Sequence, residues 1–175
     1  MNESENLRLL YTRGQIKERT EALAARIESD FAGGEFLCVC VLKGAFMFFS
    51  DLIRHFGGGL ETAFIRLSSY GDKTRSSGEV KRLWDFTENA AGKEILIVDD
   101  IADSGLTLEY LKNYFLQKGA KSVRAVCLLD KPFNRVNNAR PDYCAFTLKE
   151  NRFVVGYGMD YAERYRNLDA VYYIE

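Results

Sequence analysis

The sequence contains few of the residues that cross-link small proteins or hold metals. Its 175 residues include four cysteines, one histidine and two prolines. All four cysteines lie in apolar, strand-like runs without CxxC spacing, which favours core thiols over a zinc or redox site. They are Cys38, Cys40, Cys127 and Cys144. The lone His55 argues against a histidine-based metal centre. With so few prolines no linker divides the chain, and we expect one domain over residues 1–175.

Long apolar runs and a charge imbalance are also missing. No run approaches the roughly 18 apolar residues of a membrane-spanning helix, and the first ten residues lack the basic and apolar regions of a secretory signal. We therefore expect a cytoplasmic protein. Lys and Arg number 24 against 25 Asp and Glu, so the formal net charge is -1. Without a positive field, neither nucleic acid nor a membrane is an expected partner, and any phosphate recognition must be local.

What the chain does contain is a series of continuous apolar runs. Runs without polar alternation are typical of strands covered on both faces of a parallel sheet. They predict strands over residues 36–42, 60–67, 95–98, 122–129, 143–148 and 171–174. Helical spacing predicts helices over 14–31, over 45–56 and through 108–115. This alternation predicts an α/β fold with a mainly parallel sheet flanked by helices.

One segment, ILIVDDIADSGLTLEYL at residues 95–111, combines a strand, an acidic edge, a turn and a helix start. Asp99 and Asp100 end the predicted strand, and the following turn is small and rich in hydroxyls. Free backbone N–H groups and the positive end of a helix dipole would suit a phosphate monoester at this turn. The paired acids suit hydroxyl groups or Mg²⁺. An ordinary strand-to-helix turn with a capping Asp or Ser is the structural alternative.

This segment resembles the ribose-phosphate signature of the type I phosphoribosyltransferases. The resemblance implies that Asp99 and Asp100 hold the ribose hydroxyls of phosphoribosyl pyrophosphate. It also implies that Asp103 faces N7 of a purine and acts there as the catalytic general base or proton holder. Five consecutive residues would bind the sugar pyrophosphate at its 5′-phosphate end: Asp103, Ser104, Gly105, Leu106 and Thr107. Some relatives carry Lys in place of the leucine in this turn, so only a backbone N–H is available there.

Lys43 and Gly44 directly follow the predicted strand over residues 36–42. A lysine at a strand end is commonly solvated surface, which is the structural alternative. The triplet that begins at Leu42 nevertheless resembles the pyrophosphate loop of the hypoxanthine-guanine branch of the family. The resemblance implies a pyrophosphate site at Lys43 and Gly44, beside a Leu42–Lys43 peptide bond that is often cis. It further implies that Arg166 clamps pyrophosphate, a role that suits a bidentate guanidinium.

Residues 68–83 contain four serines, two glycines and mixed charges without periodicity. This composition predicts a mobile loop, which could be an exposed hairpin tip or an active-site lid. The resemblance favours the lid, because Ser69 and Tyr70 match a Ser-Tyr pair that closes over the substrate in this family. Closure would exclude water from the reacting ribose.

Two further segments resemble the base-binding parts of the hypoxanthine-guanine branch. Lys131 follows a predicted strand, and although it could mark a solvated turn, the resemblance implies a bond to the 6-oxygen of a purine. In FVVGYGMDY, residues 153–161, it implies that Phe153 stacks on the purine and that the Val154 backbone bonds its edge. Asp160 would be a Mg²⁺ ligand, and its backbone carbonyl would be close enough to reach a 2-amino group of the purine. Without the resemblance, we would interpret Phe153 as a core aromatic.

Together these segments imply the type I phosphoribosyltransferase fold, with a flexible lid and a small hood. The implied reaction is transfer of 5-phosphoribosyl from phosphoribosyl pyrophosphate to N9 of hypoxanthine or guanine, with release of pyrophosphate. Mg²⁺ would be the cofactor, with Asp99, Asp100 and Asp160 as its ligands. An acid at Asp103 together with Lys131 favours 6-oxopurines without ranking hypoxanthine, guanine and xanthine. The resemblance also implies small-molecule substrates and a homodimer or homotetramer.

Two other functions compete with this interpretation. ILIVDD also resembles the opening strand of a phosphoacceptor receiver domain, but too few residues follow Asp100 here to complete such a domain. A regulatory protein could instead use the same fold to sense phosphoribosyl pyrophosphate and then bind nucleic acid. The balanced charge, together with Asp103 and Lys43, favours an enzyme.

Overall fold

The chain alternates strands and helices in the way that its apolar runs predict. The computed structural model describes residues 6–69, 80–82 and 86–175. Its elements in chain order are β1 (Leu7–Tyr11), α1 (Arg13–Asp30), β2 (Phe36–Leu42), α2 (Phe46–Ile53), β3 (Glu61–Ser69), β4 (Val80–Arg82), β5 (Glu94–Ala102), α3 (Leu106–Gln117), β6 (Ser122–Asp130), β7 (Tyr143–Thr147), β8 (Val154–Val155) and β9 (Val171–Ile174). Among the described helices, none is long and apolar enough to cross a membrane.

The main sheet has the strand order β4-β3-β2-β5-β6-β7. The five strands from β3 to β7 in that order are parallel to their neighbours, and only β4 pairs antiparallel, at the edge beside β3. The predicted α/β fold with a mainly parallel sheet is therefore confirmed. Because the carboxyl ends of parallel strands meet at one edge, the loops that follow β2, β5 and β6 lie close together.

Helices cover both faces of this sheet, which explains why its central strands are apolar throughout. Successive side chains of a strand point to opposite faces. In β2, Cys38 and Cys40 pack into the core cluster that contains the buried residues of α1 and α2. Leu37 and Val39 instead join a second cluster with the buried side chains of α3. The described cysteines are free thiols, as predicted, and three of the four are buried.

A second, antiparallel sheet has the order β1-β9-β8. In it the N-terminal strand pairs with the C-terminal one, Leu7 opposite Ile174, and β8 forms an edge. This sheet corresponds to the small hood that the resemblance implies. The apolar runs predict β9 but not β1, because β1 is short, has no buried residue and takes its partner from the other end of the chain.

Two strands extend further than their apolar runs. β3 continues to Ser69, which pairs antiparallel with Val80, so the predicted lid begins within a ladder and not directly in a loop. Tyr70, the other predicted lid residue, lies outside the described residues. β5 continues through both acids to Ala102, because its ladder with β6 is maintained, with Asp99 opposite Cys127. Backbone pairing therefore outweighs the low strand propensity of the aspartates here.

Candidate active site

The parallel strands bring the predicted polar residues to one edge of the main sheet. A cavity of about 540 Å³ opens there. Six of the predicted site residues, from three separate segments of the chain, line it: Asp100, Asp103, Lys131, Phe153, Val154 and Asp160. A second cavity, of about 530 Å³, lies at the opposite ends of the strands, between Phe36, Glu61 and Glu94. None of the predicted residues that the structure describes lines that second cavity.

The two acids at the end of β5 occupy different environments. Asp99 is only 5% exposed, whereas Asp100 is partly exposed and lines the cavity. Burial, followed by the neighbouring Asp100 carboxylate, raises the pKa of Asp99 well above its ordinary value. Burial also raises the pKa of Asp100, although hydrogen bonds and the Arg166 guanidinium act in the opposite direction. The structure thus places Asp100 at the cavity and Asp99 behind it.

The predicted phosphate turn links β5 to α3. Gly105 precedes the helix with φ 86°, a left-handed conformation that glycine adopts without a steric penalty. Leu106 donates its N–H to Ser104 Oγ at 3.3 Å. Gly105 at the N-cap position offers no side-chain acceptor, so, apart from the Leu106 N–H, the N–H groups of the first turn and the helix dipole remain suited to an anion. A phosphate bound there would compete with Ser104 for the Leu106 N–H.

Three of the predicted segments meet at Gly44. A Cβ atom at this position would lie 1.7 Å from Oδ2 of Asp100. A Cβ atom at Gly158, in the predicted base-binding segment, would lie 2.2 Å from the Gly44 carbonyl oxygen. The loop after β2, the end of β5 and the segment before Asp160 therefore pack together through glycine backbone. The Leu42–Lys43 peptide bond in this loop is cis.

Two cations predicted to hold pyrophosphate face carboxylates of the same loop. Lys43 Nζ lies 3.0 Å from both carboxylate oxygens of Glu163. Arg166 Nη2 lies 2.7 Å from Asp160 Oδ1 and 3.3 Å from Glu163 Oε2. The Nη1 of Arg166 also donates to the Gly158 carbonyl oxygen at 2.9 Å, while its buried Nε has no hydrogen-bond partner among the residues that the structure describes. The guanidinium therefore holds the base-binding segment.

Phe153 and Val154 begin the predicted base-binding segment. Phe153 is 53% exposed, which contradicts the core-aromatic alternative, and its ring lies edge-on to Tyr161. Ile174 donates its N–H to the Phe153 carbonyl oxygen at 3.1 Å, and Val154 pairs with Tyr173. In an antiparallel ladder this pattern directs the N–H and C=O of Val154 away from β9. Those groups are then free to bond the edge of a base that stacks on Phe153.

Two asparagines that were not predicted as site residues, Asn134 and Asn151, line the same cavity. Asn134 donates from Nδ2 to Asp103 Oδ1 at 2.8 Å, and its own Oδ1 accepts from Nδ2 of Asn151 at 3.2 Å. Both lie in polar loops without periodicity, where asparagine usually indicates a turn. The one available signal was the position of Asn134 three residues after Lys131.

The acids of the site suit a metal that is only partly held by protein. Within residues 6–69, 80–82 and 86–175, no three His, Cys, Asp or Glu side chains form a group that could hold an ion alone. Mg²⁺ is commonly bound by one or two carboxylates together with substrate phosphates. Asp100 and Asp160, on two walls of one cavity, fit that donor set. Asp99, the third predicted ligand, is 5% exposed and does not line the cavity, so we do not include it among the ligands.

Comparisons with known proteins agree with this geometry. The family model described as "Phosphoribosyl transferase domain" matches residues 10–162. A hypoxanthine-guanine phosphoribosyltransferase of Bacillus subtilis is 45% identical over 161 residues, which cover 92% of this chain and 89% of that protein. A crystal structure of a hypoxanthine-guanine phosphoribosyltransferase from Bacillus anthracis, with HEPES in its active site, aligns with a TM-score of 0.90. It is 42% identical, over 96% of this chain and 98% of that one. A hypoxanthine phosphoribosyltransferase structure from Staphylococcus aureus also gives a TM-score of 0.90, at 35% identity over 96% of this chain and 91% of that one.

Proposed function

Because the chain belongs to the phosphoribosyl transferase family, we propose that it transfers 5-phosphoribosyl from phosphoribosyl pyrophosphate to N9 of hypoxanthine or guanine. The products are IMP or GMP and pyrophosphate, so the enzyme serves purine salvage. One observation carries the proposal: Asp103, Lys131 and Phe153 come from different segments and line one cavity. An acid for N7, a donor for the 6-oxygen and an aromatic face are the groups that a 6-oxopurine needs.

The phosphoribosyl group is assigned to the turn between β5 and α3. The N–H groups of Gly105, Leu106 and Thr107 and the hydroxyls of Ser104 and Thr107 bind the 5′-phosphate, assisted by the helix dipole. Asp100 binds the ribose hydroxyls at the cavity wall. Asp99 is buried behind Asp100 and supports the position of that residue.

The purine is assigned to the opposite wall of the cavity. Phe153 stacks on the base, which typically contributes about 1 to 3 kcal/mol. The outward-facing backbone of Val154 bonds the pyrimidine edge, and Lys131 donates to the 6-oxygen. Lys131 is only 8% exposed, so a base that lacks the 6-oxygen loses a hydrogen bond from a charged, largely buried residue, which typically contributes about 1.5 to 3 kcal/mol.

Pyrophosphate is assigned to the loop after β2 and to Arg166. We assign the pyrophosphate contacts to the backbone N–H groups of Lys43 and Gly44, the Lys43 ammonium and the Arg166 guanidinium. Asp100 and Asp160 are the proposed Mg²⁺ ligands, together with oxygens of the substrate. When bound, Mg²⁺ neutralises charge on the leaving pyrophosphate.

In the reaction, the C1′–O bond to pyrophosphate breaks and the C1′–N9 bond forms. Pyrophosphate leaves with the bonding electrons while positive charge builds on the ribose ring. The Asp103 carboxylate at N7 takes the proton that the base loses, which raises the nucleophilicity of N9. The phosphate turn and Asp103 belong to one strand-turn-helix unit. The phosphoribosyl group and the base are therefore held at a fixed separation.

The lid and the assembly are assigned from the family resemblance: we assign the lid role to Ser69 and Tyr70, and we propose a homodimer or homotetramer. From the sequence we retain one domain over residues 1–175. We also retain the cytoplasm as the expected compartment and small molecules as the partners. The regulatory alternative is not favoured, because the curated relatives are named as transferases.

Nucleotide formation tests the proposal. The protein is mixed with phosphoribosyl pyrophosphate and Mg²⁺, and hypoxanthine, guanine, xanthine, adenine and uracil are offered separately. We expect IMP and GMP to form, and the reaction to stop when a chelator removes Mg²⁺. Binding of phosphoribosyl pyrophosphate without turnover of any base would contradict the proposal.

A further inference from the structure

The carboxylate of Glu163 contacts both cations that are assigned to pyrophosphate. Lys43 Nζ donates to its two oxygens at 3.0 Å each, and Arg166 Nη2 donates to Oε2 at 3.3 Å. Lys43 follows β2, whereas Glu163 and Arg166 belong to the loop between β8 and β9. One carboxylate thus joins the two sides of the pyrophosphate site.

Backbone features hold Glu163 in this position. Its N–H donates to Asp160 Oδ2 at 2.8 Å. Its φ is 63°, and Ala162 and Tyr165 have φ values of 49° and 72°. Left-handed conformations cost a residue with a Cβ atom roughly 1 kcal/mol or more each, and they concentrate at functional sites. The free-energy cost of several left-handed residues in one loop is larger than the contribution of an ordinary exposed ion pair.

The contact is electrostatic and exchangeable. The side chain of Glu163 is 66% exposed, so water can solvate it once it leaves. Hydrogen bonds from Lys43 and then from Arg166 lower its pKa, so the anion is the form present at neutral pH. Pyrophosphate carries more negative charge and more acceptor oxygens than one carboxylate, and it can therefore displace Glu163 from the same donors.

We propose that Glu163 acts as an internal stand-in for pyrophosphate: it pairs with Lys43 and Arg166 in the free enzyme and must be displaced when pyrophosphate binds. This inference rests on the proposed function, since it requires those two cations to bind pyrophosphate. Glu163 then sets the affinity for pyrophosphate. It weakens the binding of phosphoribosyl pyrophosphate and of pyrophosphate alike, and it returns to the cations when the product leaves.

Calorimetric titration with pyrophosphate and Mg²⁺ tests the inference on the wild type and on Glu163→Gln, which retains size but not charge. We expect the variant to bind pyrophosphate about 2- to 10-fold more tightly, the range expected for the loss of two ion pairs made by an exposed carboxylate. The difference should shrink at high ionic strength. Glu21→Gln is the matched control, because Glu21 pairs with Lys17 on the surface of α1 at 3.8 Å; it should bind like the wild type.

GMP provides a second readout, because it occupies the nucleotide site without pyrophosphate and should bind both proteins equally. Equal or weaker pyrophosphate binding by Glu163→Gln, with GMP binding intact, would overturn the stand-in role alone. Absence of pyrophosphate binding by the wild type would overturn the assignment of Lys43 and Arg166, and this inference with it. If Glu163→Ala behaves like Glu163→Gln, a specific effect of the new amide is excluded and the loss of the carboxylate explains the gain.

Discussion

Asn134 donates a hydrogen bond of 2.8 Å to Oδ1 of Asp103, the residue assigned to the proton transfer. Asn151 fixes the orientation of that amide, because its Nδ2 donates to Asn134 Oδ1 at 3.2 Å. A flipped amide would direct an oxygen at the carboxylate and lose this donor. With Oδ1 of Asp103 bonded in this way, Oδ2 is the oxygen left for N7 of the base.

Replacement of Asn134 should therefore impair the chemical step. We expect Asn134→Ala to lower kcat by about 10- to 100-fold, because a hydrogen bond to a charged group typically contributes about 1.5 to 3 kcal/mol. KM for phosphoribosyl pyrophosphate should stay near the wild-type value, since the phosphate turn is unchanged. Steady-state kinetics with guanine measure both quantities.

A double-mutant cycle separates this role from a general structural one. If Asn134 acts only through Asp103, then Asn134→Ala should have little further effect on kcat in an Asp103→Asn background. Additive losses would show that Asn134 contacts the substrate itself or supports the fold.

Gly44 should not tolerate even one added methyl group. In Gly44→Ala the new Cβ would lie 1.7 Å from Asp100 Oδ2, so the carboxylate or the loop must move. We expect a rise of 10-fold or more, roughly the cost of 1.4 kcal/mol or above, in KM for phosphoribosyl pyrophosphate. Gly58→Ala is the matched control, because a Cβ atom there meets nothing within 4 Å; its kinetics should equal those of the wild type. A fully active Gly44→Ala enzyme would contradict the proposed packing.

Asp99 should make stability dependent on pH. Burial raises its pKa above the ordinary 3.8, so the folded state binds more protons than the unfolded state as pH rises above that value. The stability that Asp99 contributes is therefore lost as the pH increases from the ordinary pKa of the unfolded state to the raised pKa of the folded state. Asp99→Asn cannot ionise but keeps the oxygen that accepts the Asp100 N–H.

The variant should consequently be more stable than the wild type at pH 8, with Tm higher by about 2 to 4 °C, which corresponds to roughly 1 kcal/mol in a domain of this size. At pH 4 the two proteins should unfold at nearly the same temperature. Thermal unfolding followed by circular dichroism at both pH values measures this. A lower Tm for Asp99→Asn at pH 8 would mean that the ionised carboxylate stabilises the fold.

The parts of the fold that depend on hydrophobic periodicity could be predicted from the sequence. The apolar run over residues 36–42 matches β2 residue for residue, because both of its faces are buried against helices. β1 could not be found in this way, since its partner β9 lies at the other end of the chain. The full length of β5 was also missed, because its last residues are held by ladder contacts with β6 that outweigh the charge of Asp99 and Asp100.

The candidate site was predictable where residues follow buried strands or belong to a specific motif. Lys131 and Asp103 are of this kind, and both line the cavity. Asn134 and Glu163 lie in polar loops, and their roles depend on contacts across 31 and 120 residues of sequence. Such contacts leave no periodic pattern, so only the three-dimensional structure reveals them.

The most direct test of the account compares the wild type with Asp103→Asn in two assays, guanine turnover and the Kd for phosphoribosyl pyrophosphate. The asparagine keeps the shape of the phosphate turn but cannot accept the proton of the base. We predict that kcat falls by about 10²- to 10⁴-fold, the usual contribution of general acid-base catalysis, while Kd stays within about twofold because the 5′-phosphate contacts remain. Equal losses in turnover and binding would contradict the account and would make Asp103 a structural cap of α3.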